Sequence, residues 1–283
     1  MTREPGGPVL VTGQRGFIGR VVAEALSRRG IEWRPFEGDV LRFEDFASHE
    51  DCRSILHLAA VVRSDGTPEG DARLLERNVA GALNAIRFAA AGDRALHFSS
   101  TSTYDPGAGL PSREESPLLE GGAYPASKLC AEQLMTIWGR HAGLRGTVFR
   151  IFNVYGPGQS EGFLVPDLLR RMGDEVLEVR NLEDARDFVH VRDVADLMVS
   201  AILADTSCMN IVNVGTGRSV SVAEMLEMLF DLSGKRPRVR DLGLRSGIPR
   251  TQADTSRAAR LFGWTPKIGL REGLAELLEG AAS

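Results

Sequence analysis

Residues 9–30 constrain the fold of this chain more than any other stretch. An apolar run, Val9-Leu10-Val11-Thr12, meets Gly13-Gln14-Arg15-Gly16-Phe17-Ile18-Gly19, continues with apolar residues at helical spacing to Leu26, and stops at Arg28-Arg29-Gly30. This spells a strand, a glycine turn and a helix closed by a glycine C-cap. The rhythm then repeats. Ile31 to Phe36 offers a second strand, weakened by Pro35, which cannot donate to a ladder. Ser54 to Ala60 reads as a buried strand, helical Asn78 to Ala91 precedes a strand over Ala95 to Ser100, and a helix over Pro125 to Arg140 leads into strand Gly146 to Phe152. Strands alternating with helices predict an α/β fold with a parallel, doubly wound sheet covered on both faces.

After Asn153 the pattern breaks at Gly156-Pro157-Gly158. A helix over Pro166 to Met172, a short strand at Val176 to Val179, and a loop-rich stretch from Pro237 to Arg250 suggest a smaller cap packed on the first unit. Within this half, strand Asp187 to Val191 and helix Val194 to Leu203 read as a return to the first sheet. Strand Asn210 to Val214 and helix Val222 to Leu232 read as part of the cap.

Charge and cysteine usage exclude several function classes. The net charge of −4 is spread along the chain, which argues against an electrostatic nucleic-acid binder or a membrane-surface protein. Cys52, Cys130 and Cys208 are far apart, without metal-knuckle or redox spacing, so a reduced cytoplasmic protein without a bound metal is expected. The opening Met1-Thr2-Arg3-Glu4-Pro5-Gly6 lacks the apolar stretch of a secretory leader, and no run of eighteen apolar residues suits a membrane span.

The glycine turn is the first site candidate. A turn between strand and helix aims backbone N–H groups at a phosphate, and glycines let the backbone approach it. The spacing G-x-x-G-x-x-G also suits an ordinary tight turn. Glu37, eighteen residues beyond Gly19, is placed to accept both ribose hydroxyls, which favours NAD, whereas Arg15 and Arg34 are equally able to meet the 2′-phosphate of NADP.

The sharpest signal is Tyr124-Pro125-Ala126-Ser127-Lys128. Residues four apart share a helix face, and a nearby ammonium draws a tyrosine pKa from about 10 toward neutrality, where it can trade a proton. With only three lysines and three tyrosines in 283 residues, the spacing arises by chance in about three per cent of such chains. Ser99-Ser100-Thr101-Ser102-Thr103-Tyr104 ends a strand, where parallel sheets present functional side chains; a Ser/Thr-rich strand-to-loop junction reads the same way.

Taken together, these residues resemble the extended short-chain dehydrogenases/reductases, and within them the nucleotide-sugar epimerase/dehydratase group. The resemblance runs through the glycine turn, Gly38-Asp39-Val40, His57-Leu58-Ala59-Ala60, Asn78-Val79-x-Gly81, Ser99-Ser100 and Tyr124-x-x-x-Lys128. It continues through Arg150-x-x-Asn153-Val154-Tyr155-Gly156-Pro157, Arg186-Asp187-Phe188-Val189-His190-Val191, Asn213-Val214-Gly215-x-Gly217 and Asp254-Thr255-Ser256-Arg257. It implies a Rossmann-type sheet with a smaller C-terminal α/β substrate-binding cap. In that division residues 1–155 form the dinucleotide-binding domain, with 186–205 returning to it, and residues 156–185 and 206–283 bind substrate.

The resemblance also implies roles. Gly13, Gly16, Phe17, Ile18 and Gly19 hold the pyrophosphate, Glu37 the ribose, and Asp39 and Val40 the adenine; Leu58, Ala59, Ala60 and Asn78 complete the cofactor channel. Tyr124 is the acid–base, Lys128 binds the nicotinamide ribose and tunes Tyr124, and Ser100 bridges to the reacting oxygen. Thr101, Asn153, Arg186 and Arg245 meet the substrate, the two arginines clamping its diphosphate.

The chain departs from the pattern in four places. Glu37 runs straight into Gly38-Asp39 without the usual insert. Thr101-Ser102 stand where dehydratases carry Asp-Glu, which argues against dehydration. Ile248 stands where an aspartate often follows Arg245, and Asp105 replaces a common glycine. The expected function is an NAD-dependent nucleotide-sugar epimerase that oxidises its substrate transiently to a ketosugar. The alternatives are an NAD(P)H-dependent 4-ketoreductase using the same residues and a non-catalytic dinucleotide sensor. A homodimer is the expected assembly.

Overall fold

The computed structural model describes residues 7–119, 121–204 and 206–281, so the opening Met1–Gly6 stretch and the domain boundary at Asp205 lie outside the described residues. In chain order the first half runs β1 (Val9–Thr12), α1 (Phe17–Arg28), β2 (Trp33–Pro35), β3 (Ser54–His57), α2 (Pro68–Ala91), β4 (Ala95–Thr101), α3 (Ala123–Ala142) and β5 (Gly146–Ile151). The second half runs β6 (Asn153–Tyr155), α4 (Leu164–Arg171), β7 (Val176–Val179), β8 (Ala185–His190), α5 (Val191–Leu203), β9 (Met209–Val214), β10 (Ser219–Ser221), α6 (Val222–Ser233), β11 (Arg238–Asp241), α7 (Ser256–Phe262) and α8 (Leu270–Ala281).

Six parallel strands form the central sheet in the order β2-β1-β3-β4-β5-β9. Alternate side chains of these strands enter two apolar layers. Val9, Val11, Leu56, Phe149 and Val212 pack under α1 and α5 through Val22, Leu26, Leu197 and Met198. Leu10, Ile55, Leu96, Phe98 and Val148 pack under α2 and α3 through Ala82, Ile86, Ala131 and Met135. Burial on both faces explains why these strands read as continuous apolar runs. The chain leaves β1 in one direction toward β2 and crosses back to β3, so the strand order reverses at the β1/β3 boundary, where open α/β sheets bind ligands beyond their strand ends.

Two smaller sheets, β10-β8-β6 and β11-β7, carry a third apolar cluster built from Leu168, Leu177, Phe188, Val220, Met225, Leu229 and Leu274. Two strands change allegiance relative to the sequence reading. β9 belongs to the central sheet, where it pairs with β5 from Gly146↔Met209 to Ile151↔Val214, so residues 209–214 leave the cap. β8 pairs instead with β6 and β10, and its Phe188 enters the cap cluster. Of β8 and α5, it is α5 that returns to the first sheet, packing beside α1 with Val189 of β8 in the same cluster. Apolar runs mark strands, but their pairing partners are chosen by contacts distant in sequence.

α2 begins ten residues earlier than its apolar pattern suggests, because Thr67 caps it through Gly70 N and Pro68 opens its first turn. A 3₁₀ turn at Phe43–His49, hidden among charged residues, buries Phe46. No helix among the described residues is long and apolar enough to cross a membrane.

His57 and His97 are 1% and 2% exposed, and burial first of all holds both near pKa 3; Lys128 and Arg145 respectively add to the depression. Both ring nitrogens of His97 lack a hydrogen-bond partner, as does the hydroxyl of Thr147 beside it in the ladder. The unfolded chain takes these protons near pH 6.5 and the native chain does not. Their contribution to stability is therefore complete above about pH 6.5 and is lost by about 1.4 kcal/mol per pH unit per histidine as pH falls from there toward 3. Urea midpoints are expected to drop steeply between pH 7 and 5, and His97→Leu to raise the midpoint more at pH 5 than at pH 7.

Candidate active site

At the β1/β3 boundary the glycine turn is shaped by contact. Gly13 has φ +72°, and a Cβ there would lie 2.6 Å from Ala59 N; a Cβ on Gly19 would lie 2.1 Å from Gly13 O. Gly16, the N-cap of α1, supplies no capping side chain, and the first turn of α1 contains no acid, so its free N–H groups and helix dipole are left for an anion. Phe17 and Ile18 form the partly buried start of that helix.

The opposite wall is tied to the same turn. Ala59 N donates to Thr12 Oγ1 at 3.2 Å, Leu58 N donates to Thr12 O at 3.1 Å, and Thr12 Oγ1 lies 2.9 Å from His57 Nδ1. These bonds hold Leu58, Ala59 and Ala60 beside the glycines. The cradle, which only glycine can line, fits a dinucleotide pyrophosphate.

Most of the other residues expected at the cofactor have protein partners of their own. Asn78 is 6% exposed and its amide is spent: Nδ2 donates to Val61 O and Ser127 Oγ, each at 2.9 Å, and Oδ1 accepts from Val61 N at 2.8 Å. It therefore braces the loop after β3 against α3. Glu37 is exposed just beyond β2. Asp39 accepts from Leu41 N at 3.1 Å in a tight turn, and Val40 O accepts from Asn84 Nδ2 at 3.0 Å. Arg34 is occupied by Asp51 at 2.6 Å, whereas Arg15 is exposed.

Tyr124 and Lys128 occupy the first turns of α3, and Glu132 continues the same face one turn later. Lys128 is 2% exposed; its Nζ donates to Ser99 O at 3.0 Å and lies 4.8 Å from the Phe98 ring centre and 5.7 Å from that of Tyr124. Burial pushes Lys128 down to about 7 and Tyr124 up to about 12. Desolvation penalises the charged form of each group, against the downward pull on the phenol expected from the spacing.

The strand end also divides its hydroxyls. Ser100, 3% exposed, donates from Oγ to Glu132 Oε2 at 2.9 Å, which leaves the lone pairs of its oxygen able to accept. Thr101, the last residue of β4, is partly exposed, and by strand alternation its side chain leaves on the other face. Glu132, which sequence reasoning did not single out, extends the four-residue spacing of Tyr124 and Lys128. Its carboxylate forms a buried ion pair with Arg150, whose Nη1 donates to Tyr104 Oη at 3.0 Å and Glu114 O at 2.8 Å.

A cleft of 590 Å³ opens beside the site, lined by Asn153, Arg171, Arg180, Asn181, Arg186 and Leu242 among others. The structure therefore brings Asn153 and Arg186 together. Arg186 also carries the neighbouring loop, donating to Ser246 Oγ at 3.0 Å and Pro249 O at 3.3 Å, with Asp184 at 3.5 Å. Arg245 is exposed on that loop and does not line the cleft.

Two arginines from the cofactor side reach across to the segment between β6 and α4. Arg20 Nη2 donates to Gly158 O at 3.1 Å, and the Arg63 guanidinium sits 4.5 Å from the Phe163 ring centre. Arg20 stands near the start of α1 and Arg63 follows the Leu58–Ala60 wall, so the segment is tied to both of these elements. Among the described residues no cluster of His, Cys, Asp or Glu suits a metal ion.

The family model for NAD-dependent epimerases/dehydratases matches residues 9–215. The chain belongs to that family. Over 94% of its length it is 29% identical to a UDP-glucose 4-epimerase of Rhizobium leguminosarum bv. trifolii, covering 95% of that protein. Over 95% of its length it is 28% identical to a GDP-6-deoxy-D-mannose reductase of Pseudomonas aeruginosa, again covering 95%. Among solved structures, the Thermus thermophilus UDP-glucose 4-epimerase in complex with NAD superposes with a TM-score of 0.82 at 27% identity, covering 96% of this chain and 98% of the other. The chain is thus an NAD(P)-dependent enzyme of the extended short-chain dehydrogenase/reductase family. Because a methyl at Gly19 collides with the backbone of Gly13, Gly19→Ala is expected to weaken NAD binding at least tenfold in calorimetric titration.

Proposed function

We propose that the protein is an NAD-dependent epimerase of a nucleotide-diphosphate sugar. The observation that carries this reading over net reduction is the pair of bridges from Arg20 and Arg63, which tie the segment between β6 and α4 to both walls beside the glycine turn. Epimerisation restores the redox state of its cofactor within each cycle, so an enclosed cofactor serves many turnovers, whereas a reductase must exchange it every time. When bound, oxidised NAD supplies a two-electron acceptor and a positive ring charge.

The chain's own residues do the rest. Tyr124 takes the sugar hydroxyl proton and later returns it. The Ser100 hydroxyl, on the face of β4 that meets α3, hydrogen-bonds the reacting oxygen, and Thr101 lies beside it at the strand end. Lys128, held on Ser99 O, favours the phenolate once a second positive charge enters the site. Asn153 and Arg186 receive the substrate in the cleft, a planar guanidinium suiting a diphosphate, and Arg245 approaches from its loop. The substrate class is supported by the relatives' names, both of which specify nucleotide-diphosphate sugars.

A 4-ketoreductase acting through the same residues is the second reading. It is favoured by the short Glu37-Gly38-Asp39 connection and by the reductase relative. The protein is further proposed to act in the cytoplasm, consistent with its free cysteines. It is also proposed to act as a homodimer through the outer face of α3, where Ile137 is 49% exposed. A monomeric mass by light scattering would remove the dimer.

The deciding experiment incubates the protein with a panel of nucleotide sugars while following NAD(P)H absorbance and product stereochemistry. Isomer formation without net cofactor consumption supports the epimerase; stoichiometric consumption overturns it. Tyr124→Phe is expected to lower kcat by about 10²-fold or more. Arg186→Ala is expected to weaken nucleotide-sugar binding at least tenfold while leaving NAD affinity within twofold. The double variant Arg20→Ala, Arg63→Ala is expected to release NADH about tenfold faster in stopped-flow fluorescence, and an unchanged release rate would remove the argument for retention.

A further inference from the structure

α2 and α3 each present a stripe of residues four apart to the layer they share. On α2 the stripe runs Asn78, Ala82 and Ile86, and on α3 it runs Ser127, Ala131 and Met135. The alanines, Ile86 and Met135 belong to the apolar layer under the sheet. Asn78 and Ser127 end the two stripes with polar side chains, although they are only 6% and 0% exposed. Serine suits a helix interior less well than alanine, and a buried amide or hydroxyl costs free energy unless it is bonded. Packing alone therefore favours an apolar residue at both positions.

The pair is held by a continuous run of hydrogen bonds. Asn78 Oδ1 accepts from Val61 N at 2.8 Å, and its Nδ2 donates to Val61 O and to Ser127 Oγ, each at 2.9 Å. Ser127 Oγ donates in turn to Tyr124 O at 2.7 Å. Val61 directly follows Leu58-Ala59-Ala60, the wall that Thr12 fastens at its other end through Leu58 N and Ala59 N. Tyr124 lies in the first turn of α3. One buried hydroxyl thus joins the far end of the cofactor wall to the main chain that carries the phenol. The proton and the hydride leave the same C–O unit of the sugar, the proton toward Tyr124 and the hydride toward the wall. A wall and a helix turn that shift independently would put one of the two transfers out of reach.

We infer that Ser127 is a positioning residue of the reaction, setting through Asn78 and Val61 the separation between the cofactor wall and the Tyr124 phenol. This rests on the reaction assigned above. Ser127 is fully buried and touches no substrate. Misplacement of reacting groups by about 1 Å lowers rate by as much as about 10²-fold, so the role shows in kcat and not in KM.

The test compares the wild type with Ser127→Ala and with Ser127→Thr, which keeps the hydroxyl. In the protein without substrate, amide hydrogen exchange over residues 58–61 is expected to quicken about threefold or more in Ser127→Ala; exchange at the wild-type rate overturns the join. Steady-state kinetics of the NAD-loaded protein then use whichever UDP-, GDP- or dTDP-hexose the wild type converts fastest, with protium and with deuterium at the reacting carbon. Ser127→Ala is expected to lower kcat about tenfold with KM within twofold, and to show an isotope effect at least as large as the wild type's. Ser127→Thr is expected to recover most of the loss. Wild-type kcat in Ser127→Ala with only a lowered melting temperature reduces the hydroxyl to a structural brace and overturns the inference. A diminished isotope effect overturns it too, by placing the loss outside the chemical step, as does a folded Ser127→Thr as slow as Ser127→Ala. If Ser127→Thr does not fold, the exchange rates and isotope effect of Ser127→Ala decide. Tyr124→Phe in the same assay separates the two claims: retained turnover there overturns the reaction assignment itself, whereas the exchange rates still judge the join made by Ser127.

Discussion

The buried pair of Glu132 and Arg150, with side chains only 2% and 5% exposed, is the interaction on which the site's architecture depends. Taking two charges out of water is costly, and the cost is offset only when the remaining donors and acceptors are satisfied. Here the carboxylate also accepts from Ser100, and the guanidinium also donates to Tyr104 and Glu114. The pair therefore joins α3 to β4, to β5 and to the long connection between β4 and α3. Removing one partner alone would leave an uncompensated buried charge, a loss of about 3–5 kcal/mol. That demand makes the end of β4 and the first turns of α3 one rigid unit.

A second constraint acts at the other side of the groove. Gly13 and Gly19 let β1, α1 and the loop after β3 approach to distances no side chain allows, and the bonds of Thr12 then fasten that loop in place. The cofactor cradle is thus built from backbone, whereas the reacting face opposite is built from side chains held by a buried ion pair. The segment carrying Gly158 and Phe163 is tied to α1 and to the loop after β3 and continues into α4, whose Leu164, Asp167 and Arg171 line the cleft. Cofactor enclosure and cleft shape are consequently linked through one short stretch of chain.

Much of the fold was legible in the sequence because it depends on local pattern. The strand–glycine turn–helix unit, the alternation of strands and helices, and the placement of Tyr124 and Lys128 on one helix face all follow from spacing. The misassigned strands show where such reasoning stops. β8 and β9 carry similar apolar runs, yet β9 completes the central sheet and β8 the cap, because Val212 faces the core under α5 while Phe188 faces the core under α6. The ionisation state of the tyrosine shows the same limit. Spacing supplies the neighbouring lysine, but burial of both groups determines the free energy of charging either one.

By itself the sequence determined that this chain builds a glycine-turn nucleotide fold and carries a tyrosine–lysine pair one helical turn apart, since periodicity and backbone sterics act over a few residues. Only the tertiary structure decided which hydroxyl at the end of β4 faces α3 and Glu132. Ser100 and Thr101 are adjacent and chemically alike, but the carboxylate that claims Ser100 lies thirty-two residues away in sequence. The same holds for Arg186, whose contacts to Ser246 and Pro249 span about sixty residues. Pairings of this kind are settled by the packing of distant elements, which no local pattern encodes.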